Sequence, residues 1–209
     1  NEQLKQALSV PEIAGFVIAS RADTYTPEIA RLIADWGQGR IFWLELGVQS
    51  IHNHSLQWMN RQESFADIER ALALAHRFNQ KIVAHILLGI PGEQTKHILE
   101  TVDDLVAQGV WGFKIHQLQA LANTRLAYQE RIGRFRHLRL AEYLELTRQI
   151  LERIPPDRVI HRLVADHNKR TMLHDISGQE VSKEKAIHLV QSYLHDKGSY
   201  QGRQLLAKA

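Results

Sequence analysis

The chain has 209 residues, of which 44% are hydrophobic, and 26 basic against 23 acidic side chains give a formal net charge of +3. This composition is typical of one globular domain. It has no cysteine, which excludes disulfides, thiolate zinc sites, a cysteine nucleophile and a cysteine-ligated iron–sulfur cluster within the chain.

Apolar runs alternate with helical patterns along the chain. In chain order, the pattern predicts strand 14–20, helix 27–36, strand 41–47, helix 65–78, strand 81–88, helix 98–107, strand 112–118, helix 138–153, strand 158–164 and helix 183–195. Pro27 suits a first helical turn, and Ser64 and Thr95 are expected to serve the starts of the next two helices. Residues 168–182 are expected to form a loop.

Strands that alternate with helices imply a parallel sheet covered by helices, so the predicted fold class is α/β. In such folds ligands bind where the strands end, because loop amides and helix N-termini converge there. Polar and glycine residues follow all five predicted strands, at 20–23, 47–50, 89–93, 117–124 and 166–167. We therefore expect a ligand site at this edge of the sheet.

Several of these segments form recognisable motifs. Gly47-Val48-Gln49-Ser50 is followed by Arg61, twelve residues after Gln49, and the third strand ends in Gly89-Ile90-Pro91-Gly92-Glu93. Ser20-Arg21-x-Asp23 and Lys114-Ile115-His116 complete the pattern. Over nearly its whole length the chain resembles radical S-adenosylmethionine (SAM) enzymes. It is most similar to an uncharacterised bacterial subgroup, near the elongator-catalytic-subunit and oxygen-independent coproporphyrinogen-oxidase type.

The resemblance implies the C-terminal portion of a partial (β/α)6 TIM-like barrel, with residues 1–165 as the barrel portion and 166–209 as an extension that carries a terminal helix. It implies SAM and a [4Fe-4S] cluster as cofactors of the full-length protein, which would cleave SAM reductively to a 5′-deoxyadenosyl radical. The Cys-x3-Cys-x2-Cys cluster loop of the family would lie before Asn1. We therefore expect the chain to be a cropped portion that is inactive alone.

The resemblance also assigns the cofactor contacts, which are Ser20, Arg21, Gln49, Arg61, His85 and Gln119. An amide such as Gln49 suits a ribose diol because it donates and accepts, and the planar fork of Arg61 suits the methionine carboxylate. Ordinary structural roles remain open: a strand-end amide, a surface arginine, a core histidine and a tight turn at Asp23 give the same residues.

The expected partners are a small-molecule or tRNA substrate and an electron donor such as flavodoxin or ferredoxin. No apolar run reaches the roughly 18 residues of a membrane span, so we expect a cytoplasmic protein with no membrane partner. The pairs His52/His54 and His161/His167 lack a third ligand at a recognisable spacing, and we expect no zinc site. The alternatives are an RNA-associated binding module that uses the basic stretch 125–139, a cluster-free scaffold, and a phosphate-binding barrel enzyme.

Overall fold

The computed structural model describes residues 2–167, 170–175 and 177–206. In this part of the chain five parallel strands form one sheet in the order β1-β2-β3-β4-β5. The strands are β1 (Gly15–Ser20), β2 (Ile41–Gln49), β3 (Ile82–Leu88), β4 (Gly112–Gln117) and β5 (Val159–Arg162). The helices are α1 (Glu2–Leu8), α2 (Pro27–Gly37), α3 (Asn53–Trp58), α4 (Phe65–Arg77), α5 (Thr95–Ala107), α6 (Arg125–Arg131), α7 (Leu140–Arg153), α8 (Lys183–Asp196) and α9 (Arg203–Leu206). The predicted α/β class is confirmed.

The two sides of the sheet differ in polarity because successive strand residues point to opposite faces. On β2, Leu44, Leu46 and Val48 are fully buried in the core that the helices cover, whereas Trp43 and Glu45 point to the other side. We call that other side the inner face; it carries Trp43, Glu45 and Gln49 of β2, His85 and Leu87 of β3, and Lys114 and His116 of β4. Unusually for a buried sheet, the inner face is rich in charged and polar groups.

Two helix starts were predicted from single residues. Ser64 is the N-cap of α4 as predicted: its Oγ accepts from the Asp67 N–H, and the Asp67 carboxylate accepts from the Ser64 N–H at 2.8 Å. The prediction for α5 is wrong by one residue, since Gln94 is the N-cap and Thr95 already belongs to the helix. The Gln94 backbone is extended, and its N–H donates to His97 Nδ1 at 2.9 Å. The imidazole of His97 thus accepts from the N–H of the cap residue, the role that a glutamate or glutamine usually has at this position of a capping box.

The C-terminal helices pack against α7. Tyr193 of α8 donates to the Glu145 carboxylate at 2.9 Å, and Ser199 donates to Glu152 at 2.8 Å. The predicted loop 168–182 falls partly outside the described residues; in its described part, isolated bridges such as His174–Glu180 occur. The proposed boundary between 165 and 166 stays a prediction. No helix in the described residues is both long and apolar enough to cross a membrane.

Candidate functional site

A cavity of about 970 Å³ lies where β2, β3 and β4 end. Its lining includes Gln49 and Arg61, Leu87 and His116 of the inner face, and Arg125 and Gln129 of α6. This volume is at the upper end of the roughly 300–1,000 Å³ of small-molecule sites. Two of the six residues predicted as cofactor contacts, Gln49 and Arg61, therefore line one cavity.

Gln49 has an unusual backbone conformation. Its φ is 68°, in the left-handed region that side chains other than glycine rarely occupy. The pairing of β2 with β3 shifts register between Leu46 and Gln49, so the strand is irregular at this point. Strain of this kind, which costs about 1–3 kcal/mol, is found most often at functional sites. Gln49, at this irregular end of β2, is part of the cavity lining.

Gly47 permits the two predicted contact residues to approach each other. A Cβ atom at this position would lie 3.4 Å from both Arg61 Nη2 and Gln49 Nε2. The amide and the guanidinium thus converge on the same short stretch of backbone. An alanine here would make ordinary contacts with both groups, whereas a longer side chain would have to displace one of them.

Arg61 is oriented by two groups of the protein. Its Nη2 donates to the Gly47 carbonyl oxygen at 2.6 Å, and its Nε donates to the carboxylate of Glu63. The Glu63 side chain has no exposed surface, and its second oxygen accepts from the Ala22 N–H at 3.0 Å. One buried carboxylate thus joins Arg61 to the loop after β1, while Arg61 Nη1 takes part in neither bond.

A buried charge network lies deeper on the inner face. Glu45 accepts from the Lys114 ammonium, from His85 Nε2 at 3.1 Å and from Trp43 Nε1 at 3.3 Å. Burial opposes ionisation of Glu45, yet the bonds from Lys114 and Trp43 hold its pKa below the usual value. Burial lowers the pKa of His85, and this effect exceeds the opposite effect of the Glu45 carboxylate. The His85 imidazole is therefore neutral near pH 7.

His116 stacks on His85, with ring centroids 5.0 Å apart and planes tilted by 22°. Burial and then the neighbouring His85, Arg162 and Lys114 lower the pKa of His116 to about 4. Its Nε2 is buried and has no hydrogen-bond partner among the described residues. His116 thus differs from His85, whose Nε2 bonds to a carboxylate.

The other predicted contacts lie away from this lining. Ser20 Oγ donates to the Arg21 carbonyl oxygen at 3.0 Å, and Arg21 forms a two-pronged pair with Asp23 at 2.9 and 2.6 Å. Gln119 Nε2 donates to the Thr171 carbonyl oxygen at 3.0 Å. His85 lies one inward-facing position before Leu87, beneath the cavity floor. Their roles as cofactor contacts stay predictions.

Two acidic residues of this region were missing from the sequence-based prediction. Glu45 is a lone carboxylate in the apolar run 41–47, and such a residue signals a buried charge with a partner. Glu63 follows Arg61 by two residues and carried no such signal, because nothing local shows that it is buried. Its burial depends on the approach of the loop that contains Ala22.

Histidines and arginines also gather outside the cavity. The rings of His52, His54 and His97 lie 5.0 to 5.8 Å apart. Nevertheless, the described residues include no group of three or more histidine, aspartate or glutamate side chains arranged to hold a metal ion.

In the basic stretch 125–139, Arg136 donates two hydrogen bonds of 2.7 Å to the Glu142 carboxylate, which neutralises part of the positive charge of this stretch.

Comparisons with known proteins extend these observations. A family model for the radical SAM superfamily matches residues 2–105, and a model for the radical SAM C-terminal domain matches residues 110–196. Protein YhcC of Escherichia coli (strain K12) is 31% identical over 81% of this chain and 55% of its own length. Uncharacterized protein MJ0486 of Methanocaldococcus jannaschii is 30% identical over 96% of the chain and 64% of its own length.

The similarity extends to a solved structure. The archaeal Methanocaldococcus infernus Elp3 with an N-terminal deletion superposes with a TM-score of 0.77 at 23% identity. That match covers 90% of this chain and 43% of the Elp3 chain, and at this identity it concerns the fold. The chain thus spans only part of these relatives, 55% of YhcC and 64% of MJ0486.

Proposed function

The chain belongs to the radical SAM superfamily, and from this premise we propose that its cavity binds SAM as part of an enzyme that cleaves SAM reductively. The observation that carries the proposal is that Gln49 and Arg61, twelve residues apart in sequence, line one cavity at the ends of the strands. Parallel α/β sheets bind ligands at this edge. In the superfamily, bound SAM supplies a carbon-centred radical that abstracts hydrogen.

The residues present fit the chemistry of SAM. The Gln49 amide both donates and accepts, which suits a pair of ribose hydroxyls. Arg61 offers a charge-assisted bond to a carboxylate, and its contacts with Gly47 and Glu63 limit the orientations of the guanidinium. Trp58, Met59 and Leu118 add apolar surface for a flat base. In this assignment the chain binds and orients SAM and excludes water from it.

The residues present do not fit the iron–sulfur cluster. The 209 residues include no cysteine, so none of them supplies the thiolate that such clusters require. We propose that the cluster is held by a segment of the full-length protein outside these residues and receives its electron from a flavodoxin or ferredoxin. In this assignment the 209 residues contribute contacts to SAM and none to the cluster.

Binding of SAM tests the proposal directly. Titration calorimetry on the full-length, cluster-loaded protein is expected to give saturable binding of SAM. Arg61→Met should weaken it about tenfold or more, because a hydrogen bond to a charged group contributes about 1.5–3 kcal/mol. The matched control is Arg40→Met, at the opposite end of β2, where Arg40 bonds to the Trp36 carbonyl at 3.2 Å. Equal effects of both substitutions, or no binding by the unaltered protein, would overturn the proposal.

The substrate is proposed to be a small molecule or a tRNA. Two observations favour a polyanion at the cavity mouth: Arg125 lines the cavity, and it begins the basic stretch 125–139. If the alternative of an RNA-binding module is right, RNA binds without SAM, and its affinity falls steeply with salt. A filter-binding titration of RNA with and without SAM, each at two salt concentrations, separates this alternative from the SAM-dependent one.

A further inference from the structure

His116 occupies the floor of the cavity. It is the second-last residue of β4 and pairs in register with Leu87 of β3. Both residues face inward and line the cavity, so a ligand held by Gln49 and Arg61 would lie over them. His116 is therefore a polar group of the cavity that the family-derived contacts do not include.

The surroundings of His116 hold the ring in place. His85 stacks against it at 5.0 Å, and His85 is itself bonded to Glu45 at 3.1 Å. Lys114, one inward position earlier on β4, donates to the same carboxylate. Because Glu45 accepts from His85 Nε2, the neutral His85 ring carries its proton there. The network thus fixes His85, and through stacking it restricts His116.

The Nε2 atom of His116 needs a partner. It is buried and makes no hydrogen bond to any residue that the structure describes. A buried polar atom without a partner loses its hydration without compensation, and native proteins rarely keep one. Burial keeps the ring neutral at pH 7, so it offers one donor and one acceptor, which suits an uncharged polar group. His116 also lines the cavity, so a ligand that enters the cavity lies beside this ring.

We propose that His116 binds the ligand of the cavity through a hydrogen bond to an uncharged polar group, a hydroxyl, and that Glu45 and His85 position its ring. The inference rests on the proposed function, in which SAM is that ligand and its ribose supplies two hydroxyls. His116 is a binding residue in this assignment, and Glu45 and His85 are positioning residues.

The chain contains a matched control in His161. Its Nε2 is also buried without a partner in the described part of the chain. Its ring packs between Trp43 and Trp111, with centroid distances of 5.3 Å to each, and it is outside the cavity lining. Loss of His161 therefore removes a partly buried imidazole of the same sheet that does not line the cavity.

The test is calorimetric titration of SAM into the full-length, cluster-loaded protein and its variants. His116→Leu should weaken binding about fivefold to tenfold, as expected for one lost hydrogen bond to an uncharged group. His116→Gln, whose amide reaches the position of the imidazole Nε2, should stay within about threefold of the unaltered protein, and His161→Leu within about twofold. His85→Leu should weaken SAM binding in the protein that keeps His116, because His85 positions the His116 ring. In the His116→Leu background, His85→Leu should have no further effect on SAM affinity. Thermal unfolding of each variant reports whether it is folded.

The two proposals fail in different ways. If the unaltered protein does not bind SAM, the proposed function is overturned and this inference with it. If the unaltered protein binds SAM and His116→Leu binds it as tightly, the inference about His116 is overturned while the proposed function stands. Should His116→Leu not fold, the comparison of His116→Gln with His116→Asn still decides. The amide of Gln reaches the position of Nε2 and should keep the affinity for SAM, whereas the shorter Asn should lose it; equal affinities would overturn the inference.

Discussion

Arg61 donates a hydrogen bond from Nη2 to the carbonyl oxygen of Gly47, across 2.6 Å. This bond ties the segment between α3 and α4 to the end of β2, where Gln49 adopts its left-handed conformation. Arg61 is 18% exposed in its side chain, and the Glu63 carboxylate beside it is fully buried. The orientation of the guanidinium therefore depends on a carboxylate that no ligand reaches.

The first prediction concerns Glu63. Glu63→Gln keeps an acceptor for Ala22 N–H but removes the charge that holds Arg61, so SAM binding in calorimetry should weaken about fivefold or more. Glu63→Ala should in addition lower the free energy of unfolding by about 3–5 kcal/mol, because it leaves Arg61 with no anionic partner.

A double-mutant cycle separates positioning from stability. In the Arg61→Met background, Glu63→Gln should have little further effect on SAM affinity, since the group that it positions is gone. Glu69→Gln, an exposed glutamate of α4, is the control and should leave affinity unchanged. Additive losses in the cycle would show that Glu63 does not act through Arg61.

The second prediction separates the backbone of Gln49 from its side chain. Gln49→Gly and Gln49→Ala both remove the amide and should weaken SAM binding equally. The glycine variant should exceed the alanine variant in free energy of unfolding by about 1 kcal/mol, because only glycine adopts a φ near 68° without strain. Urea unfolding gives this difference, and an alanine variant as stable as the glycine variant would contradict it.

The third prediction concerns the pair of Glu45 and Lys114 on the inner face. Lys114→Met leaves a buried carboxylate without its cation and should lower the free energy of unfolding at pH 7 by about 3–5 kcal/mol. The exposed Lys96→Met is the control and should change it by less than about 0.5 kcal/mol.

The same pair gives a pH dependence. The folded-state pKa of Glu45 lies below its usual value of 4.5, so its contribution to stability is present above pH 4.5 and is lost as the pH falls through the folded-state value. Lys114→Met should reduce this loss, because without the ammonium the pKa of Glu45 is no longer held down. Urea unfolding between pH 6 and about pH 3 measures it. An unchanged pH profile in Lys114→Met would count against the assigned role.

The fourth prediction concerns the cap of α4, which begins directly after Glu63. Ser64→Ala should destabilise the protein by about 1 kcal/mol, as loss of an N-cap hydroxyl does. Hydrogen bonds from the backbone and hydroxyl of Ser64 lower the pKa of Asp67 to about 2. The stability from this carboxylate is full above its usual value of 3.8 and is lost as the pH falls toward 2.

Chemical denaturation of Ser64→Ala at acid and neutral pH tests this assignment. Because the variant lacks the hydroxyl that stabilises ionised Asp67, its stability should depend less on acid pH. The control is Ser9→Ala, because the Ser9 hydroxyl donates to the Gln6 carbonyl oxygen in an exposed turn and, among the described residues, bonds to no carboxylate. A Ser64→Ala protein with the pH profile of the control would show that the cap does not set the pKa of Asp67.

The sequence by itself determined the α/β class, the succession of strands and helices along the chain, the family and the cap at Ser64. These features depend on neighbours within a few residues: hydrophobic periodicity, a hydroxyl three residues before a backbone N–H, and the spacing from Gln49 to Arg61. It located the α5 cap one residue too late, at Thr95 instead of Gln94, because His97 supplies the bond from three residues further on.

Only the tertiary structure decided which polar residues meet. Glu63 reaches Ala22 across 41 positions, and Lys114 reaches Glu45 across 69. Such contacts depend on strand order and register, which local patterns do not encode, since a shift of one residue turns every side chain to the other face. The same register brings His116 beside Leu87 on the cavity floor. Because register is fixed by packing of the whole sheet, the polar inner face emerges only in the folded chain.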